Sequence, residues 1–183
     1  MKWIAIVAGT LVALIALVAL IGAMLPRDHV ASVTARIAAT PADVWATITT
    51  PADFPTWRSD VKRVEILPAT ATGPSWREYG SNGAITFAVE AWEPPTRYVG
   101  RIADKGLPFG GAWEYRLEPD GASGTRVTIT EHGSIYNPIF RFVSRFFMGY
   151  TGTMKSYLNA LARRFGSETT PTEVAVEGRT NGV

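Results

Sequence analysis

The stretch NPIFRFVSRFFMGYTGTMKSYLNALARRFG, residues 137–166, decides the fold. Asn137 before Pro138 reads as a helix cap followed by a first helical residue, and Gly166 reads as a stop. At about 100° per residue, Ile139, Val143, Phe146, Phe147, Tyr150, Met154, Tyr157, Leu158, Leu161 and Phe165 fall in one sector, while Arg141, Ser144, Arg145, Lys155, Asn159 and Arg163 fall opposite. The spacing predicts one long amphipathic helix from Pro138 to about Phe165. Such a helix needs a broad apolar surface to lie on.

The residues before it supply that surface. His29–Ile37 alternates as a half-buried strand, and six more strands are expected near 61–67, 75–79, 84–93, 97–103, 111–118 and 125–134. Gly73-Pro74, Ser81-Asn82-Gly83, Pro94-Pro95 and the Asp120–Gly124 stretch suit short connections, which favour consecutive antiparallel hairpins. Between the first strand and the rest, Thr40-Pro41-Ala42-Asp43 and Thr50-Pro51-Ala52-Asp53 repeat one N-cap device ten residues apart. They predict two short helices, fastened by Val44, Trp45, Ile48, Phe54 and Trp57.

At the other end, Trp3–Leu25 is an uncharged apolar run of 23 residues. At about 1.5 Å per residue it reaches roughly 35 Å, enough to cross a hydrocarbon layer of about 30 Å. The competing reading is an export signal cleaved near Ile21-Gly22-Ala23, but the run far exceeds the usual apolar region of about 7–15 residues. Lys2 before the run resembles the start of an export signal and favours a single-pass membrane protein with its domain outside the cytoplasm. The chain of 183 residues thus divides into an anchor (1–25), one domain (26–166) and a polar tail (167–183) expected to be disordered.

Composition removes several function classes. There is no cysteine, so disulfides, thiolate catalysis and cysteine-ligated metals are excluded. Only two histidines occur, His29 and His132, so a multi-histidine metal site is excluded. With 18 basic against 16 acidic residues, no nucleic-acid partner is expected. No P-loop, dinucleotide fingerprint or nucleophile elbow occurs, and no cofactor is expected.

The order of elements resembles the helix-grip superfamily, also called START-like or SRPBCC, which includes polyketide cyclase/dehydrase and lipid-transport proteins. The resemblance is carried by Thr40–Trp45, Asp53–Trp57, Trp92-Glu93-Pro94-Pro95 and the Asn137-Pro138 start of the last helix, and spans roughly Val30–Phe165. It implies an α+β fold: a curved antiparallel sheet of about seven strands around the long C-terminal helix, with two short helices after the first strand. It also implies a cavity between sheet and helix.

Strand parity selects what would line that cavity: Phe87 and Val89; Tyr98 and Ile102; Trp113, Tyr115 and Leu117; Val127, Ile129 and Glu131. From the helix come Phe142, Phe146 and Tyr150. An aromatic pocket with few polar groups suits a hydrophobic small molecule, such as a lipid, quinone or polyketide-like compound. Glu131 is the one inward carboxylate and the weak catalytic candidate. It would anchor a polar ligand head, or act as acid/base in a cyclase or dehydratase with Tyr98 or Tyr115 orienting the substrate. Arg141 is a possible partner for Glu131, although its helix phase points outward. His132 has solvent-facing parity, and His29 beside the anchor reads as polar punctuation. Leu107 and Phe109, in Gly106–Gly111, are candidates for an apolar gate. The basic residues of the last helix offer a further reading, recruitment of a partner to the membrane.

Overall fold

The structure, a computed structural model, describes residues 2–81 and 83–176. Met1 of the expected anchor, Asn82 of the Ser81–Gly83 connector and residues 177–183 of the expected disordered tail lie outside the described residues. The chain opens with α1 (Lys2–Met24), then β1 (Asp28–Ile37) and α2 (Pro41–Ile48). A short 3-10 helix (Pro51–Thr56) leads into β2 (Val61–Thr70), β3 (Gly73–Gly80) and β4 (Gly83–Glu93). Then come β5 (Arg97–Ile102), β6 (Phe109–Pro119) and β7 (Thr125–Ile135). The C-terminal part holds α3 (Pro138–Val143), a π-helical turn (Ser144–Met148), α4 (Gly152–Arg164) and β8 (Thr172–Val174).

The strands form one antiparallel sheet in the order β2-β3-β4-β5-β6-β7-β1-β8. The short connectors make each strand from β2 to β7 the neighbour of the next, and β1 closes on β7. Eight strands replace the expected seven, because residues 172–174 of the tail pair with Ser32–Thr34 of β1. Glu173 fastens this strap, accepting from Lys155 Nζ at 2.6 Å and Thr151 Oγ1 at 2.9 Å. Those two bonds hold the Glu173 carboxyl below its usual range.

Local sequence explains the short helices. Thr40 caps α2, its hydroxyl accepting from Asp43 N at 3.3 Å. Thr50 makes no such bond, and the second expected helix is the 3-10 helix, which contains Pro55. Val44, Ile48 and Phe54 are buried.

The expected long C-terminal helix is two helices. Asn137 caps α3, accepting from Phe140 N at 3.0 Å. The turn then widens: Gly149 N donates to Ser144 O at 2.9 Å, five residues back. Gly149 adopts φ +71° and ψ −174°, a conformation open essentially to glycine alone, and the helix cannot run through it. The two segments then take different partners. On α4, Met154, Tyr157, Leu158, Leu161 and Ala162 are buried against the sheet. By contrast α3 packs on α1, so closely that a Cβ on Gly22 would collide with the backbone carbonyl of Pro138. Arg141 of α3 is buried and donates from Nη1 to Leu25 O at 2.7 Å. Its expected outward position assumed an unbroken helix with its polar face in water. Here α1 covers that face.

The helix α1 is long and apolar enough to cross a membrane, a property it shares with export signals.

Candidate ligand site on the inner sheet face

The inner face divides in two. Under α4 lie Val89, Tyr98, Tyr115, Leu117, Val127 and Ile129, each at most 5% exposed. Tyr98 and Tyr115 stack with ring centroids 4.4 Å apart, and Tyr157 of α4 reaches Tyr115 at 5.6 Å and Trp57 at 5.3 Å. Burial pushes the phenols of Tyr98, Tyr115 and Tyr157 up from their usual value, so all three are neutral at pH 7. The Tyr157 hydroxyl and the Trp57 indole N–H are buried without a hydrogen-bond partner among the described residues.

Arg58 and Glu78 border this region. Arg58 contacts Glu78 at 3.0 Å and Asp60 at 2.7 Å, and its guanidinium lies over the rings of Phe54 and Tyr157. Burial opposes the guanidinium charge, yet Glu78 and Asp60 more than compensate and raise its pKa further. Glu78 also accepts from Trp76 Nε1 at 2.9 Å. Glu78 shares the inward parity of Trp76 in β3, a signal present in the sequence that we read only for the later strands.

Beyond α4, where the helix breaks, the inner face is half covered. Phe87, Ile102, Trp113 and Glu131 are all of intermediate exposure, as are His29 from β1 and Tyr150 after the turn; Phe142 is half-buried too, but its ring packs on Phe146 and Phe147 of the turn. Pairing brings these residues together: Phe87 opposes Ile102, Trp113 opposes Glu131, and Glu131 opposes Ala31, next but one to His29. Residues directly opposite in a ladder share a face, so Trp113 and Glu131 stand side by side.

The partner of Glu131 is His29, at 3.7 Å between Oε1 and Nε2, not Arg141. His29 stacks on Tyr150 with centroids 4.0 Å apart. It fits because Gly133 opposes it; a Cβ there would collide with the imidazole. The sequence did contain the signal, since His29 shares the inward parity of Ala31 and Val33. Its place beside the apolar N-terminal helix concealed it.

One expected lining residue and the expected gate residues stand apart. Phe146 is 55% exposed, because the π turn carries it away from the sheet. Phe109 is the first residue of β6 rather than a loop tip; it is half-buried, paired with Ile135 and 6.4 Å from the Phe140 ring. Leu107 remains in the connector before it and is also half-buried. Nor is the space between α4 and the sheet the hollow we expected, since Tyr157 and Trp113 pack edge-to-face there at 5.9 Å. A groove of about 380 Å³ lies beside the helix break. It lies between β1, Gly149–Thr151 and the β8 strap. Tyr150 lines this groove and also touches His29. No group of three or more acidic or histidine residues suited to a metal occurs among the described residues.

A curved antiparallel sheet gripping a C-terminal helix, with small helices after the first strand, defines a START-like helix-grip protein. Residues 28–166 match the family described as polyketide cyclase / dehydrase and lipid transport, and the chain belongs to that family. Among solved structures, a START superfamily protein from Mycobacterium smegmatis superposes with TM-score 0.62 at 17% identity, over 75% of this chain and 97% of its own. The Zhui aromatase/cyclase of a Streptomyces species gives TM-score 0.60 at 14% identity, over 76% of this chain and 94% of its own. Norcoclaurine synthase from Thalictrum flavum gives 0.59 at 12% identity, over 75% and 86%. Likeness at these identities establishes the fold alone. No curated protein matches the sequence significantly.

Proposed function

We propose that the chain is a membrane-anchored binding or transport protein for a hydrophobic small molecule, a lipid, quinone or polyketide-like compound. The guest lies on the half-covered part of the inner sheet face. The observation that carries this reading is the contrast in burial across that face. Fully buried aromatic and aliphatic side chains give way, within the same strands, to Phe87, Ile102 and Trp113, which stay half-exposed even though the Trp113 ring touches Tyr157 of α4. Apolar surface left half-covered inside a curved sheet gains free energy when a guest completes it, about 25 cal/mol per Å². His29 and Glu131 supply the polar end, able to hold a hydroxyl or carbonyl.

Anchoring is supported by the way α1 is built into the domain. Gly22 is buried against Pro138, Leu25 O accepts from Arg141, and Arg27 O accepts from Ile135 N. Cleavage near Ala23 would remove the cover of α3 and expose an arginine now buried. That favours retention. The domain lies outside the cytoplasm, as Lys2 before the apolar run suggests.

The test is organic extraction of the purified full-length chain followed by mass spectrometry. A co-purifying apolar compound near one per chain is expected, and Ile102→Trp, which fills the half-covered face, should lose it. A wild-type chain that carries no such compound and takes none from lipid vesicles would refute the reading.

One observation favours a catalytic alternative. The aromatase/cyclase and the synthase named above show that this fold can hold enzymes, and the contact of Glu131 with His29 gives this chain a carboxylate–imidazole pair suited to acid/base work of the cyclase or dehydratase kind. Tyr98 and Tyr115, sealed under α4, are poorly placed to orient a substrate there. Glu131→Gln separates the readings: binding survives it, whereas catalysis on an identified substrate is lost.

A further inference from the structure

The C-terminal break leaves an apolar surface that the binding site does not use. Phe147 is 77% exposed, Met148 62%, Phe146 55% and Ile139 41%. This surface is continuous with α1, because α3, which leads into the turn, packs on α1. Its depth follows from the covered stripe on α1. Val18, Ala19, Ile21 and Gly22 of α1, and Leu25 just after it, are shielded, and the remainder of α1 is exposed. From Val18 to Leu25 is two turns, about 10 Å.

A span of 23 residues is about 35 Å long, some 5 Å more than the hydrocarbon layer. If all of that excess projects on the domain side, shielding down to Val18 still requires part of the domain to stand about 5 Å below the hydrocarbon boundary.

We infer that α3 and the π turn form a wedge submerged in the headgroup and outer acyl region of the leaflet from which α1 emerges. Phe146, Phe147 and Met148 are its membrane-facing tip. This rests on reading α1 as a membrane span. The chemistry fits: the wedge carries no acid from Pro138 to Met148, and the exposed Arg145 on the turn and Arg27 after α1 suit anionic headgroups. The widened turn closes its own backbone through Gly149 N and Ser144 O, as an apolar surrounding requires. Since α3 follows β7, the strand that carries Glu131, the wedge sets the half-covered face near the bilayer surface, where an apolar guest partitions.

The absence of cysteine makes the test direct. Single nitroxide labels are placed at Phe147→Cys and, separately, Met148→Cys in the full chain, reconstituted in phosphatidylcholine/phosphatidylglycerol vesicles. References are Leu14→Cys within the span and Glu118→Cys at the far end of β6. The wedge labels should resemble Leu14→Cys, with relaxation shifted towards oxygen and away from a water-soluble nickel chelate. Both target positions are exposed, and the two report independently should one variant fold poorly. If the Leu14→Cys label sits in lipid while both wedge labels match Glu118→Cys, the wedge is wrong and the span stands. Shielding of the wedge labels from both reagents, as contact with a second protein would produce, also overturns it. A Leu14→Cys label in water overturns the span and the wedge together.

Discussion

The two halves of residues 138–165 have the same apolar periodicity and take opposite roles. The C-terminal half, α4, covers the sheet and seals a packed interior with Met154, Leu158 and Leu161 fully buried. The N-terminal half leaves the sheet, covers α1 and presents Phe146, Phe147 and Met148 outward. Similar side chains therefore contribute cohesion in one half and, on our reading, membrane contact in the other. An apolar stripe states that a helix needs a partner and does not say which one.

The largest effect that separates the halves is truncation of a large side chain in each. Leu158→Ala removes a fully buried side chain and should cost about 2–5 kcal/mol, seen as a large drop in thermal midpoint. Phe147→Ala should change stability by no more than about 0.5 kcal/mol. Equal losses would show that the turn is as tightly packed as α4 and break the contrast.

A smaller effect is expected at the junction. Gly149→Ala forces a side chain into φ +71° and should cost about 1–3 kcal/mol. A variant as stable as the parent would mean that the junction straightens readily and that the halves are less distinct than they look.

The last effect vanishes at neutral pH. Burial raises the pKa of Tyr98, Tyr115 and Tyr157 above the ordinary value near 10. A raised folded-state pKa contributes stability fully present below pH 10. It is lost as pH rises through the folded-state values, because the unfolded chain releases these protons first. Stability of the α4 half should therefore hold from pH 7 to 9 and fall above pH 10, with phenolate absorbance from these three tyrosines appearing only as it unfolds. Free titration of all three in the folded chain would show that α4 does not seal the interior.

Much of this was legible in the sequence because it is written locally. Alternation placed β1 and the strands from β2 to β7 within a few residues, and the Thr40 and Asn137 caps are where the Pro-preceding polar residues indicated. Strand parity pointed Val89, Tyr98, Tyr115, Leu117 and Ile129 inward, and all five are buried. It also reached Glu131 but missed its partner, since His29 lies about a hundred positions away and meets it only through the β1–β7 pairing. Arg58 was missed because it lies in no periodic element, and its place is fixed by Glu78 and the Tyr157 ring.

The sequence by itself determined an apolar N-terminal helix, a run of antiparallel strands and an amphipathic C-terminal segment, because each is a repeat read over neighbouring residues. Only the tertiary structure decided where that last segment breaks and which partner each half takes. It also placed Arg141 against the carbonyl of Leu25, just after α1, and paired the tail with β1. Those outcomes rest on contacts between distant parts of the chain, where Gly149 releases one direction and the close approach of Gly22 and Pro138 fixes another.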